Sequence, residues 1–225
     1  MLDPNKSEFT SLEPKKNLEF DFKIIRILDI LIATIALIPF SLIFLIVSTA
    51  ILLEDKSNPI YKDRRLGKYK TPFYLIKFRS MFKNAESMEK QNKEIYEKLR
   101  SDQHKVENHP YVTKVGKFIR KTSIDELPQI INVLKGEMSI VGPRALKIDE
   151  EQKFRNENPE YAKYLDAHFE VKPGITGFWQ VSGRSKIDFK KRIRMEAYFA
   201  RNFTIANYIF VLLKTPIALL RAETH

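Results

Sequence analysis

Apolar residues along this chain fall into one long block and several short ones. The long block, Ile30 to Leu53, contains no charged residue. A straight helix of that length would cover roughly 36 Å, enough to cross a hydrocarbon core of ~30 Å. By length alone it reads as a single membrane-spanning helix. Two features point elsewhere. Pro39 sits inside the block, where it removes one backbone hydrogen bond and bends a helix. Basic residues also flank both ends: Lys15, Lys16, Lys23 and Arg26 before it, and Lys56, Lys62, Arg64, Arg65, Lys68 and Lys70 after it. Positive charge collects on the cytoplasmic side, so both flanks are predicted on one, cytosolic, face. A re-entrant helix over residues 23–54, broken at Pro39, satisfies both features. Its first arm, Ile30 to Ile38, reaches only ~14 Å, about one leaflet. The late start and the mixed charge before the block argue against a cleaved signal peptide.

Before this segment, residues 1–22 are polar, mixed in charge and carry Pro4 and Pro14, the pattern of a mobile leader. After it, residues 55–220 read as one domain with short alternating elements. Ile60-Tyr61-Lys62 and Thr71 to Phe78 are β-rich and separated by Gly67. Asn84 to Val106 is a charged, solvated helix. Thr113 to Lys121 leads into a helix over Glu126 to Leu134, stopped by Lys135-Gly136-Glu137. Ser139 to Arg144 is a strand ending in a turn, and Asp149 to Lys163 a charged helix interrupted at Pro159. Val171 to Arg184 is loop and strand, and Ile187 to Arg201 a basic helix. Thr204 to Leu220 is apolar but carries Lys214 and Pro216, which suits a helix lying in a membrane interface. The fold class is therefore a small mixed α/β membrane-associated domain, with an N-terminal Pro-broken re-entrant helix and C-terminal interfacial helices.

Composition narrows the partners. The 225 residues carry a net charge of +11, which asks for an anionic partner: nucleic acid, anionic lipid or a phosphorylated substrate. The absence of cysteine excludes disulfides and thiolate metal sites, and four scattered histidines give no zinc pattern. No recognition helix or RNA-binding motif is present, so nucleic acid is not the expected partner.

The chemistry concentrates at Thr122-Ser123-Ile124-Asp125-Glu126-Leu127-Pro128-Gln129. Two adjacent carboxylates stand between a basic stretch (Lys117, Arg120, Lys121) and an apolar helical pattern (Ile130, Ile131, Val133, Leu134). One carboxylate can act as a nucleophile while its neighbour holds a divalent metal. The same octet fits a helix start: Ser123 with Glu126 forms a capping-box pattern, or Asp125 is the N-cap with Pro128 in the first turn. The two roles are compatible, because a helix N-terminus also suits phosphate. Lys77 and Arg79, two apart on a strand, point the same way. Arg144 follows a Gly-Pro turn, a rigid mount for a phosphate contact. Arg184 beside Gly183, and Arg120, complete the cations; each is otherwise an ordinary surface ion pair. Trp179, Tyr198 and Phe199 read as core or interface anchors.

Beyond these residues the chain resembles the bacterial sugar transferases, the monotopic phosphoglycosyl transferases. The resemblance runs through Arg26-x-x-Asp29, Lys77-Phe78-Arg79-Ser80-Met81, the stretch from Pro110 to Gln129, Asn132 to Ser139, Val141-Gly142-Pro143-Arg144, Lys172 to Gly177 and Trp179 to Arg184. It covers about Lys23 to Leu220. It implies transfer of a sugar-1-phosphate from a UDP-sugar to polyprenyl (undecaprenyl) phosphate at the cytosolic face of a bacterial inner membrane, initiating lipid-linked glycan synthesis. Asp125 would be the nucleophile, forming an acyl-phosphate and releasing UMP. Glu126 would ligate Mg²⁺. Lys77, Arg79, Arg120, Arg144 and Arg184 would bind substrate phosphate, and Pro39 would break the membrane helix. Partners are then the UDP-sugar, polyprenyl phosphate and membrane lipids, with homo-oligomerisation left open.

Three positions depart from the pattern. Ile38-Pro39 stands where Ser-Pro is usual, with Thr34 or Ser41 available for freed backbone groups. Ala145 replaces the second proline of Pro-Arg-Pro, which predicts a looser clamp. Asn207-Tyr208 stands where an Asp is common. The chain is also expected to lack the multi-helix N-terminal membrane region of larger relatives. The alternative reading is a non-catalytic, membrane-anchored protein whose basic surface binds phospholipid or a partner.

Overall fold

The computed structural model of the protein describes residues 18–92, 109–183 and 187–222. The leader lies almost wholly outside them, as do most of the charged segment before Val106 and Arg184. The described residues form two compact units: one of residues 18–38, 62–76 and 129–222, the other of residues 39–61 and 77–128. Helix α1 (Leu18–Asp55) contributes to both, and the division falls at Pro39.

Helix α1 runs with Pro39 inside it and is long and apolar enough to cross a membrane. Only a narrow stripe is buried: Ile25, Asp29 and Ala33, then Phe40, Val47, Ser48 and Ile51, at helical spacing. The remaining faces are also apolar and open, with Ile35 69%, Ile38 77% and Leu53 79% exposed. Such a surface is stable against lipid rather than water, and it makes the protein membrane-associated. The mixed α/β class with a long apolar N-terminal helix is as the sequence predicts.

In the first unit a two-stranded parallel sheet pairs β3 (Ser139–Val141) with β4 (Gly174–Thr176), in the register Ser139 to Gly174 and Val141 to Thr176. The crossover between them carries α5 (Ile148–Glu157) and α6 (Ala162–His168). These pack with α8 (Phe189–Arg201) around Leu146, Phe154, Leu165, Ile193 and Ala197. The α5 interruption falls at Pro159, which opens a short 3₁₀ turn. The stretch expected as loop after β4 contains a short helix, α7 (Phe178–Ser182), with Phe178 buried and stacked on Phe199. Burial of that ring outweighs the loop-forming glycines around it. Helix α9 (Ile205–Ala222) buries Tyr208 and Val211 and exposes Ile209, Leu213, Ile217 and Leu219.

A second two-stranded sheet pairs β1 (Ile60–Leu66) with β2 (Pro72–Phe78). In the second unit, α2 (Ala85–Gln91) and α3 (Lys114–Lys121) follow β2, and Phe40, Phe44 and Phe78 form an aromatic cluster. The single helix expected over Glu126 to Leu134 is divided. Ile124–Gln129 is a 3₁₀ turn containing Pro128, and α4 (Ile130–Lys135) follows it. Such a tighter turn is common at the N-terminus of an α-helix. Gly136 ends α4 in the left-handed region (φ 82°), the stop signal read from the sequence.

Candidate active site

The approach to the carboxylate pair is fixed by α3. Thr113 caps it, accepting the Gly116 N–H at 2.9 Å. Glu54, at the end of α1, accepts the N–H groups of Lys114 (2.7 Å) and Val115 (2.9 Å), one on each carboxylate oxygen. This places a negative charge on the positive end of the helix. Gly116 packs so tightly that a Cβ there would lie 1.9 Å from the Ser80 carbonyl oxygen. Helix α3 ends at Thr122, and Ser123 turns through the left-handed region (φ 57°) immediately before Ile124-Asp125-Glu126. A non-glycine residue held there is strained, a state that persists where the surroundings over-determine it. The Ser123 carbonyl accepts the Glu126 N–H at 3.3 Å.

Lys77, from β2, reaches Glu126: its Nζ lies 3.1 Å from Oε1. Arg120, from α3, donates through Nε to Ser80 Oγ at 2.8 Å. Asp125 lies within the electrostatic reach of Lys77, Arg120 and Glu126. Burial, then repulsion from Glu126, raises its pKa to about 6, and Lys77 and Arg120 pull it back without cancelling the rise. The second unit thus gathers Asp125, Glu126, Lys77 and Arg120. Arg79 belongs to the same unit but lies just past the last residue of β2. Its Nε donates to the Asn58 carbonyl at 2.7 Å and its guanidinium lies over the Tyr61 ring.

Among the described residues no group of three or more His, Cys, Asp or Glu forms a metal cage. The adjacent carboxylates Asp125 and Glu126 are nonetheless the donor set that suits Mg²⁺, which uses one or two carboxylates and completes its shell with water and substrate phosphate.

Arg144 sits in the first unit on a turn tied at each residue. Gly142 N–H donates to Thr176 O, and Pro143 O accepts the Gly174 N–H, both at 2.9 Å. Ala145 O accepts from Arg65 at 2.9 Å, and Leu146 O accepts the Leu66 N–H at 2.9 Å. Arg144 itself donates its N–H to Glu196 Oε1 at 2.9 Å and offers its carbonyl to His168 Nε2 at 3.0 Å. The turn carries Ala145 in place of a second proline, and hydrogen bonds hold the backbone on both sides of it. Arg144, Arg192 and Arg65 surround Glu150 and, after burial, hold its pKa below the usual carboxylate range. Arg192 also lies over the Trp179 ring, 5.0 Å from its centre. Among the described residues, Arg144 Nε, Arg192 Nε and Trp179 Nε1 are buried donors without a hydrogen-bond acceptor. Phe199 is core.

Two motif residues prove structural. Arg26 donates to the carbonyls of Val133 (2.6 Å) and Leu134 (2.9 Å), at the negative end of α4. Asp29 Oδ1 accepts from Ser139 Oγ, the Ile140 N–H and Tyr208 OH. Tyr208 thus brings a donor to Asp29 where a second acid would have been repelled. Sequence reasoning did not reach Glu54, His168, Arg192 or Glu196. Only Glu196 left a signal: it stands among Ile193, Met195, Ala197, Phe199 and Ala200, which are all buried. Arg184 lies outside the described residues.

Residues 20–222 match the family described as bacterial sugar transferase. This chain belongs to that family. It is 40% identical over 207 residues to an uncharacterized sugar transferase of Haemophilus influenzae, covering 88% of this chain and 41% of that protein. It is 40% identical over 173 residues to the undecaprenyl-phosphate galactose phosphotransferase of Salmonella typhimurium, covering 76% of this chain and 35% of that protein. The exopolysaccharide production protein ExoY of Sinorhizobium fredii is 35% identical over 194 residues, covering 84% of this chain and 82% of ExoY. The chain therefore spans well under half of the first two sugar transferases and most of the third.

Proposed function

We propose that this sugar transferase is a phosphoglycosyl transferase, moving a sugar-1-phosphate from a UDP-sugar to undecaprenyl phosphate to begin exopolysaccharide, capsule or similar lipid-linked glycan synthesis. The observation that carries the proposal is Asp125: a carboxylate beside Glu126, between Lys77 and Arg120, in a chain of this family. The name of the Salmonella relative supplies the acceptor class.

The Asp125 carboxylate attacks the phosphorus that bears the sugar. The bond from that phosphorus to the oxygen of UMP breaks, UMP leaves, and an acyl-phosphate joins Asp125 to the sugar. A phosphate oxygen of the polyprenyl phosphate then attacks the same phosphorus and expels the carboxylate. Mg²⁺ held by Glu126 would offset the charge of the diphosphate. Lys77 and Arg120 lower the repulsion between an anionic nucleophile and an anionic substrate. Arg79, Arg144 and Arg184 are proposed to bind substrate phosphate. For Arg144, the support is a guanidinium Nε that is buried without an acceptor among the described residues. A covalent intermediate lets a water-soluble donor and a lipid acceptor use the same carboxylate in turn.

The membrane helix is proposed to be re-entrant, with the catalytic side facing the cytosol of a bacterial inner membrane. Pro39 lies inside α1, and Thr49 Oγ1 donates back to Leu45 O at 2.8 Å, a second helix-bending contact. The exposed apolar face of α9 would lie in the same interface. The central test incubates the protein in lipid with a radiolabelled UDP-sugar and Mg²⁺ but no acceptor. UMP release matched by sugar label on the protein, and lost in Asp125→Asn, is the expected result. Release only when acceptor is present, with no labelled protein, would exclude the covalent route. No release from any UDP-sugar under either condition would favour the non-catalytic binder.

A further inference from the structure

Arg144 is the one residue of its turn whose backbone is held from both sides by side chains. Its neighbours Gly142, Pro143 and Leu146 are tied backbone to backbone, which sets the path of the chain. At Arg144 the N–H goes to Glu196 Oε1 and the carbonyl to His168 Nε2. His168 Nδ1 and Glu196 Oε2 stand 3.1 Å apart, in contact but outside hydrogen-bond geometry, so the two side chains meet behind the Arg144 peptide groups that each one holds. His168 is 2% exposed and Glu196 1%. The edge of the His168 ring faces Phe169, 4.8 Å between centres. An acid and an imidazole buried together stabilise a core poorly compared with apolar side chains of the same volume. Their value lies in direction. They fix the two peptide planes on either side of the Arg144 Cα, and so fix where its side chain departs from the turn. Arg192 stands close enough to feel both Glu196 and Arg144, so the pair borders the same group of buried donors.

We infer that Glu196 and His168 are positioning residues for Arg144, a buried pair that aims its guanidinium at the substrate phosphate. This rests on the reading of Arg144 as a phosphate contact. Neither side chain touches substrate; both act through the arginine.

A double-mutant cycle tests this with the full chain in lipid nanodiscs, following UMP release from a UDP-sugar and undecaprenyl phosphate. Arg144→Ala should lower kcat/KM by about ten- to hundredfold, the loss of one charge-assisted contact. His168→Gln should lower it by about tenfold in the parent, but by no more than about twofold in Arg144→Ala, because residues acting through one group are not additive. Thermal unfolding supplies the control: His168→Gln should shift the melting temperature equally in both backgrounds. If the two activity losses multiply, the pair acts on the fold at large and the inference fails while Arg144 keeps its role. If Arg144→Ala alone is fully active, the phosphate-contact reading fails first, and the single variant reveals it. Should His168→Gln not fold, Glu196→Met completes the same cycle, since it keeps much of the volume and removes the acceptor of the Arg144 N–H. Full activity in both His168→Gln and Glu196→Met would overturn the inference outright.

Discussion

Asp125→Asn should make the protein more stable while removing its turnover. The reasoning starts from a proton affinity raised from an ordinary 3.8 to about 6, through burial and the neighbouring Glu126. Each tenfold change in affinity is about 1.36 kcal/mol, so keeping Asp125 ionised costs the folded state at most about 3 kcal/mol. The folded-state value lies above the unfolded one. Below about pH 4 both states hold the proton and nothing is lost. Between about pH 4 and 6 the folded protein binds more protons than the unfolded chain, so stability falls as pH rises. Above about pH 6 the full cost is present. Asparagine has the shape of the neutral acid and should recover that cost at pH 7.5. For a chain of this size, ~2–4 °C per kcal/mol puts the gain in melting temperature at up to about 10 °C. Melting of parent and variant in the same lipid at pH 7.5 and pH 4 measures it. The gain should be present at pH 7.5 and vanish at pH 4. An equal melting temperature at pH 7.5, or the same gain at both pH values, would refute the claim that the carboxylate is held against its own stability. In the parent, the same affinity predicts a UMP-release rate that rises about tenfold per pH unit up to about pH 6 and then levels, as only the ionised acid attacks.

Lys77→Ala should cost about ten- to hundredfold in rate. It should also move the acid limb of the pH profile to higher pH, because Lys77 is one of the two cations restraining Asp125; an unmoved limb would show that the lysine acts elsewhere. Gly116→Ala should destabilise the second unit by about 3 kcal/mol or more, since the new Cβ meets the Ser80 carbonyl rather than a flexible side chain; an unchanged melting temperature would show that the backbone there yields. For the membrane helix, the cysteine-free chain allows labelling at Glu19→Cys and Lys62→Cys, two exposed positions. Both should be shielded from an impermeant reagent outside intact cells, and labelling of Glu19→Cys alone would mean that the helix spans.

What the sequence made legible was the family, the carboxylate pair with its nearby cations, and the punctuation. Asp125-Glu126, the cations around them, the Gly136 stop and the apolar block were all readable, because each depends on residue type at short spacing. Two elements differ from the local pattern. Phe178–Ser182 looked like loop from its glycines, yet the Phe178 ring is buried against Phe199. The helix expected from Glu126 begins at Ile130, after a 3₁₀ turn that contains Pro128. At Phe178 tertiary packing overrode local pattern. Contacts at long separation were beyond reach altogether. Nothing in the composition joins Glu54 to Lys114, or His168 to Arg144 and Glu196, and only folding brings them together.

The two halves of helix α1 are fastened by different means. Before Pro39, Arg26 caps the carbonyl end of α4 and Asp29 gathers donors from β3 and Tyr208. After Pro39, Phe40 and Phe44 pack on Phe78, and Glu54 caps the helix that leads to Asp125. An apolar helix that served only as an anchor would need neither set of polar contacts, since lipid alone would hold it. The buried Asp29 carries a desolvation cost that a plain anchor would avoid, and Glu54 makes two hydrogen bonds that a plain anchor would not need. They are understandable if α1 is part of the catalytic framework. Its first half is bonded to β3, whose next residues are the Arg144 turn, and its second half caps the start of α3, whose end leads through Ser123 in a strained turn to Asp125. Each half of the membrane segment is thus tied by polar contacts into its own unit, the first to the strand that leads to Arg144 and the second to the helix that leads to Asp125.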